Sequence, residues 1–428
     1  MRTCLALLVA LLLLPVENAA AQESYPSNFS VALTTEPSVR DALAYVDENF
    51  DTQVAEWIRI TEIPAQSRHE QVRGEYLKGQ LELLGLEVTI DSIGNVIAKR
   101  PGTGDGPTMV FAAHIDTVHP LDADLAVRRE DGKLHAPGIF DNSASVTNML
   151  TAARAMHAAN VQTKGDVYFI GTVQEELGLQ GMNYWLDHNP GVTDMLVALD
   201  GGVGTVSYGA LGIYWSRMVF SAEGSHTVTS RGKPHPARAA SRCILGIYDI
   251  PLPDRNAPVT AVYNVGIIEG GEVVNAIPQV VSFTVDLRTV DPVLLEHLDT
   301  TIVNTCADAS REERVEFRHE IISQSPAGGT PDQLADRREH PIVQTAVDIL
   351  KHLGHDFGDR PTARASGSTD SNAGVVRGIP SISVGRAYGG NQHTLTEWSD
   401  IESARIGTKQ IILLTAALAE LDERGVSQ

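Results

Sequence analysis

Basic residues are scarce in this chain: 33 Lys and Arg stand against 54 Asp and Glu, a formal charge of −21. A phosphate-backbone binder needs clustered Lys and Arg, and anionic lipid repels so acidic a surface, so neither a nucleic-acid nor a membrane partner is expected. Cysteine is rarer still, at three, and neither Cys243 nor Cys306 has a second Cys or a His at metal-site spacing. Aromatic residues make up 5%. The uncharged stretch at the start, residues 3–16, falls short of the roughly 20 residues a membrane-spanning helix needs. Internal repeats and low-complexity tracts are absent. What is present is ordinary globular material, 43% hydrophobic and 20% charged over 428 residues. That is enough for about two or three domains, and a large acidic soluble protein of this kind is most often an enzyme.

Residues 1–21 combine an early Arg2, the short apolar run and Ala19-Ala20-Ala21. These are the parts of a cleaved secretory signal, so the mature chain is expected to be exported to the periplasm or the medium. In an oxidising compartment Cys243 and Cys306 can pair if their Cα atoms come within about 7 Å; two buried, inert thiols are the favoured expectation.

Helical spacing of apolar residues over 39–60 and 70–84 is followed by strand-like runs at 87–91, 95–100 and 108–113. A helix over 143–159 and buried strands at 167–173 and 195–199 continue the alternation. The fold class is therefore α/β, a mixed and mostly parallel sheet with helices on both faces. From 212 the texture changes to strand 214–222, helix 235–248, strands 261–269 and 280–288, helix 292–309 and strand 315–322. That βαββαβ order is a self-contained two-layer α+β unit. A catalytic domain in two parts, 22–211 and 325–428, is thus expected to be interrupted by an inserted domain, 212–324.

Chemistry-bearing residues fall where strands stop. The run 108–113 ends in His114-Ile115-Asp116, 167–173 in Gln174-Glu175-Glu176, 195–199 in Asp200, and 381–385 in a loop reaching His393. Carboxyl ends of parallel strands line one crevice, so these side chains can converge. Asp141, just before a helix, is placed at the same rim. Two imidazoles and three carboxylates without a thiolate suit two Zn²⁺, with Mn²⁺ or Co²⁺ as substitutes. If Asp141 bridges, each ion has one His, one terminal carboxylate and one shared carboxylate, with room left for water. Two ions about 3.5–4 Å apart can acidify that water and polarise a carbonyl together. Glu175, adjacent to a ligand but pointing elsewhere, is placed as the general base. Asp116 is placed to accept the other N–H of His114 and fix its tautomer. An H-x-D or E-E element alone is more often a solvated surface feature; the order of all six at strand ends is the informative part. His119, His135, His188 and His352 are read as surface or loop residues.

The segments Ala113-His114-Ile115-Asp116-Thr117-Val118, Asp141-Asn142, Glu175-Glu176, Asp200 and His393 resemble the zinc exopeptidases that include peptidase T and glutamate carboxypeptidase. Acyl-amino-acid deacylases and succinyl-diaminopimelate desuccinylase belong to the same family. The resemblance implies one ion on His114, Asp141 and Asp200, the other on Asp141, Glu176 and His393, and Glu175 as base. It implies that the insertion is a lid through which a homodimer forms. Gly224-Ser225-His226 resembles the family's lid histidine, which supports the reacting carbonyl, often from the partner subunit. Asn275, Arg288 and the loop Gly367-Ser368-Thr369 resemble substrate-binding positions, although Arg288 equally suits a sheet-surface ion pair and Asn275 a turn. The text around Asp141 departs from the deacylase branch and is similar to related zinc aminopeptidases that lack the lid. The expected activity is exopeptidase action on short peptides, or amide hydrolysis of N-acyl amino acids by the same machinery. A catalytically silent peptide-binding homologue is the third reading.

Overall fold

A computed structural model describes residues 25–255, 257 and 259–422, so the expected signal, residues 1–21, lies outside the described residues. The larger sheet has seven strands, in the order Glu87–Ile90, Val96–Arg100, Val167–Thr172, Met109–His114, Met195–Leu199, Ser381–Val384 and Val206–Ser207. The four from Val167–Thr172 to Ser381–Val384 run parallel, and the other three are antiparallel to their neighbours. Alternation along each strand feeds two cores. Met109, Phe111 and Ala113 join Phe169 and Val197 in one, packed against residues of the helices Leu77 and Leu81, Val146 to Met156, Ile342 to Leu350 and Ile411 to Leu418. Val110, Ala112, Ile170 and Leu196 face the other way, onto Met182, Trp185 and Leu186 of the helix Gln180–His188. Burial on both faces is why these strands read as unbroken apolar runs. From Met109–His114 the chain moves to the strand on one side and then to the strand on the other. That reversal opens a crevice at the carboxyl ends.

Residues 39–60, expected as one helical stretch, form two helices, Pro37–Glu48 and Phe50–Thr61, with Asn49 between them at φ −108°, ψ 19°. The Asn49 side chain and its backbone N–H both donate to the Tyr45 carbonyl, each 2.9 Å away, and close the first helix there.

The second sheet is antiparallel, in the order Ala261–Gly270, Val280–Thr289, Gly212–Ser221 and Glu316–Ser325. Its inward residues, among them Met218, Phe220, Phe283, Val285 and Leu287, meet the helices Pro236–Tyr248 and Pro292–Glu313 in a core of their own. The longer helix starts sharply because Asp291 accepts from the N–H groups of Val293 and Leu294 and Pro292 occupies its first position. Cys243 and Cys306 do not remain thiols, as had been favoured; they form a disulfide joining these two helices, with Cα atoms 4.7 Å apart. The helices lie side by side on one sheet face, a proximity that a separation of 63 residues in sequence does not reveal. Among the described residues no helix is long and apolar enough to cross a membrane.

Candidate metal centre

His114 is the last residue of the strand Met109–His114 and is 3% exposed. Its Nε2 lies 3.2 Å from Asp141 Oδ1 and 3.9 Å from Asp200 Oδ2. Its Nδ1 faces Asp116, at 3.2 Å from the carbonyl and 3.4 Å from Oδ1. Asp116, fully buried, also accepts from Ser67 Oγ at 2.6 Å and from the backbone N–H groups of Glu175 and Glu176. It thus ties the end of one strand to the turn after its neighbour. Burial pushes the Asp116 carboxyl up, but hydrogen bonds from His114 and Ser67 outweigh it and hold the group below the usual carboxylate range.

At the end of the strand Val167–Thr172 the chain turns through Gln174, a non-glycine residue at φ 54°. Glu175 and Glu176 follow in the crevice. Glu176 Oε1 is 3.0 Å from His393 Nε2, and the same nitrogen is 3.5 Å from Asp141 Oδ2. The ligand-type atoms of His114, Asp141 and Asp200 all lie within 4.8 Å of one another, and so do those of Asp141, Glu176 and His393. Asp141 is common to both groups. His114, Glu175 and Glu176 form a third group under the same limit. Nitrogen and carboxylate donors in these sets fit divalent ions of the zinc type. The local charge fits too: burial raises the Glu175 carboxyl well above its ordinary value, with Asp200, Asp370 and Glu176 adding to the rise. Burial likewise pushes Asp370 up to about 7. Divalent cations would supply the positive charge this cluster of acids lacks.

Two residues that sequence reasoning passed over hold Asp141 in place. Arg386, 2% exposed, follows the strand Ser381–Val384. Its guanidinium bonds to Asp200 Oδ1, lies 3.1 Å from Asp141 Oδ1, donates to Asn142 Oδ1 at 2.9 Å and rests over the Phe140 ring at 4.1 Å. Gly389 also packs against the Phe140 ring, where a Cβ would fall 2.4 Å from it. For Asp141, burial acts upward, but the Arg386 charge and the hydrogen bonds from His114 and His393 hold it well below the usual carboxylate range. Glu397, with no exposed surface, accepts from the backbone N–H groups of Gly138, Phe140 and Asp141 at 3.0, 2.8 and 2.7 Å. His119, expected on the surface or in a loop, lies in a loop but is buried, 6% exposed, with Nε2 3.6 Å from Glu397. Asp141 does not open a helix directly. It sits in an irregular turn, Ile139–Ala144, with φ −106° and ψ 95°, and the regular helix begins at Ser145.

A cavity of about 540 Å³ opens over this cluster, lined by His114, Asp141, Glu175, Glu176, Asp200 and His393 and, from the loop at 367–369, by Ser368. The other expected substrate residues do not line it. The Gly367 carbonyl accepts from Asn372 and Leu211, and Thr369 is buried against Ser371. His226 and Asn275 lie beside each other on the inserted unit, 3.5 Å apart and exposed, and Arg288 is held by Asp286 through Nε at 3.0 and 3.1 Å.

A mixed sheet with a crevice of paired His and carboxylate groups at its carboxyl ends defines a hydrolase of the metallopeptidase class. The model of peptidase family M20/M25/M40 matches residues 110–416, and the chain belongs to that family. It is 26% identical to the YqjE protein of Bacillus subtilis over 368 residues, 81% of this chain and 93% of that one. Its fold is similar to that of aminopeptidase PepT from Bacillus cereus, with a TM-score of 0.72 at 22% identity over 87% of this chain and 99% of that one. It is also similar to Bacillus subtilis YxeP, described as a dinuclear metal-binding peptidase of the M20 family, with a TM-score of 0.66 at 18% identity over 88% and 100% of the two chains.

Proposed function

We propose that this protein is an exported exopeptidase that hydrolyses peptide bonds of short peptides at a two-metal centre. The observation that carries this reading is the pair of three-residue donor groups sharing Asp141, with Glu175 at their edge. His114, Asp141 and Asp200 would hold one divalent ion, zinc by donor type, and Asp141, Glu176 and His393 the other. When bound, the ions supply an acidified water and an electrophile for the scissile carbonyl. Glu175 takes a proton from the attacking water and returns it to the amine nitrogen as the C–N bond breaks. The water oxygen ends in the new carboxylate. Asp116, through His114 Nδ1, keeps Nε2 turned toward Asp141 and Asp200. His226 would support the developing oxyanion from a partner subunit if the chain pairs through its inserted unit, acting as a lid, with Asn275 on substrate; Arg288, expected there too, is tied to Asp286 instead. Export is supported by the pattern of residues 1–21 and by the Cys243–Cys306 disulfide, a bond typical of oxidising compartments.

The test joins elemental analysis to turnover. Purified protein should carry two equivalents of divalent metal and lose peptide hydrolysis on chelation. Glu175→Gln should keep the metal and lose turnover by about 10²-fold or more. A Gln variant as active as the parent would remove Glu175 from its role, and a chelator-resistant activity would end the two-metal reading.

A further inference from the structure

The floor of the cavity is polar, and its wall is apolar in part, beside polar residues such as Asn183, Gln324 and Asn372. Leu177 and Leu179 come from the loop after Glu176, Ala373 and Val376 from around the short helix Ser371–Val375, and Ile213 and Trp215 from the inserted unit. Leu177 and Trp215 are each 42% exposed and Val376 36%, so large apolar side chains are left uncovered on one concave surface beside the acids. Leu179 sits at φ 58°, a left-handed backbone that a non-glycine residue adopts only at a cost, so this loop is held in shape by its surroundings.

Trp215 is not loose. It lies opposite Asp286 on the neighbouring strand and donates its indole N–H to that carboxylate at 2.9 Å. Asp286 also holds Arg288, which is opposite Ile213. The guanidinium next to the wall is therefore bound along the sheet. Among the described residues lining the cavity there is no Lys or Arg. A substrate carboxylate side chain laid against Leu177, Val376 and Trp215 would lose hydration there without gaining a cationic partner from the wall. An apolar one would cover Leu177, Val376 and Trp215.

Resting on the peptidase reading above, we propose that this wall is a side-chain pocket that selects peptides with a bulky apolar residue, leucine- or phenylalanine-like, beside the scissile bond and rejects acidic ones. Covering apolar side chains with a substrate of matching shape favours it by up to about 10–200-fold per well-fitted group. The test is kcat/KM of the zinc-loaded protein on Leu-, Phe-, Ala- and Glu-containing dipeptides and tripeptides, varied at each position, and on the matching N-acyl amino acids. Leu or Phe should exceed Ala by about tenfold or more at one position, and Glu should fall below Ala. Trp215→Ala should lower the Leu-to-Ala ratio about tenfold, and Trp215→Phe should restore most of it. Equal turnover of Glu and Leu substrates, or an unchanged ratio in Trp215→Ala, overturns the pocket while leaving the peptidase reading standing. Cleavage of acyl-amino acids but of no peptide overturns the peptidase reading, and the same ratios then judge the pocket. Hydrolysis of none of these compounds overturns both.

Discussion

Arg386 is the residue whose removal tests the architecture of the cluster most directly. Its guanidinium serves Asp200 and Asp141 at once and is buried over Phe140. Replacement by Met keeps an unbranched stem in the same space and deletes the charge. Two buried carboxylates then lose their fixed counter-ion. Breaking a buried pair by removing one partner costs about 3–5 kcal/mol, a large share of the roughly 5–15 kcal/mol that holds a domain folded. The Nε of Arg386 has no hydrogen-bond partner, so the loss is slightly offset. Metal-free Arg386→Met should melt on the order of 10 °C below the parent. Divalent ions act on the same carboxylates and can replace part of the missing charge. Zinc should therefore raise the melting temperature of the variant by more than it raises that of the parent. Arg386→Lys should fall between, because an ammonium cannot span both acids as the planar fork does. The assay is calorimetry of chelated and zinc-reloaded protein. A chelated Met variant that melts with the parent, or an equal zinc-induced rise in both, would refute the view that Arg386 is the site's built-in counter-ion.

Glu397→Gln replaces one acceptor oxygen by an NH₂ that faces a backbone donor, so at least one bond to the turn carrying Asp141 is lost. Metal affinity should drop about 10–100-fold, with both ions leaving together because both positions share Asp141; two equivalents retained through dialysis would contradict this. Asp370 is pushed up to about 7 by burial, so the folded state binds its proton more tightly than the unfolded chain between about pH 4 and pH 7. Stability of the metal-free protein should fall as pH rises through that window, and Asp370→Asn should flatten the slope in denaturant titrations at pH 5 and pH 7.5; parallel profiles would dismiss the effect.

The sheet was legible because four buried strands leave unbroken apolar runs that stop at a polar residue, and such a stop marks a rim. His114, Glu175, Glu176 and Asp200 were found that way. Asp141 was found by its place before a helix, but the turn that presents it was not, since Ile139–Ala144 follows neither strand nor helix spacing. The βαββαβ alternation of the inserted unit was equally plain. Which of its residues face the cavity was not, because Ile213 and Trp215 are placed there by strand register and by the position of the sheet, neither of which is a local property. Arg386 and Glu397 look like ordinary loop charges. Only contacts to residues some 180 to 260 positions away give them meaning. Cys243 and Cys306 are the same case in covalent form.

The acids of the site divide by how the protein treats their charge. Glu397 receives three backbone N–H groups, and Asp116 receives two, together with Ser67 and His114. These are the carboxylates that hold other groups in place, and the chain satisfies them with its own donors. Asp141 and Asp200 share one guanidinium on their Oδ1 atoms, while Asp141 Oδ2 and Asp200 Oδ2 are turned toward the imidazoles. Glu175 has no such provision and is held well above its ordinary value, first by burial and then by its acidic neighbours. A site meant only to be rigid would satisfy every acid alike, since an unpaired buried charge costs several kcal/mol. Here the provision is withheld from the face over which the cavity opens. The cost of leaving those groups short of positive charge would be recovered if cations bound there, as the proposed two-metal reading with Glu175 as base requires.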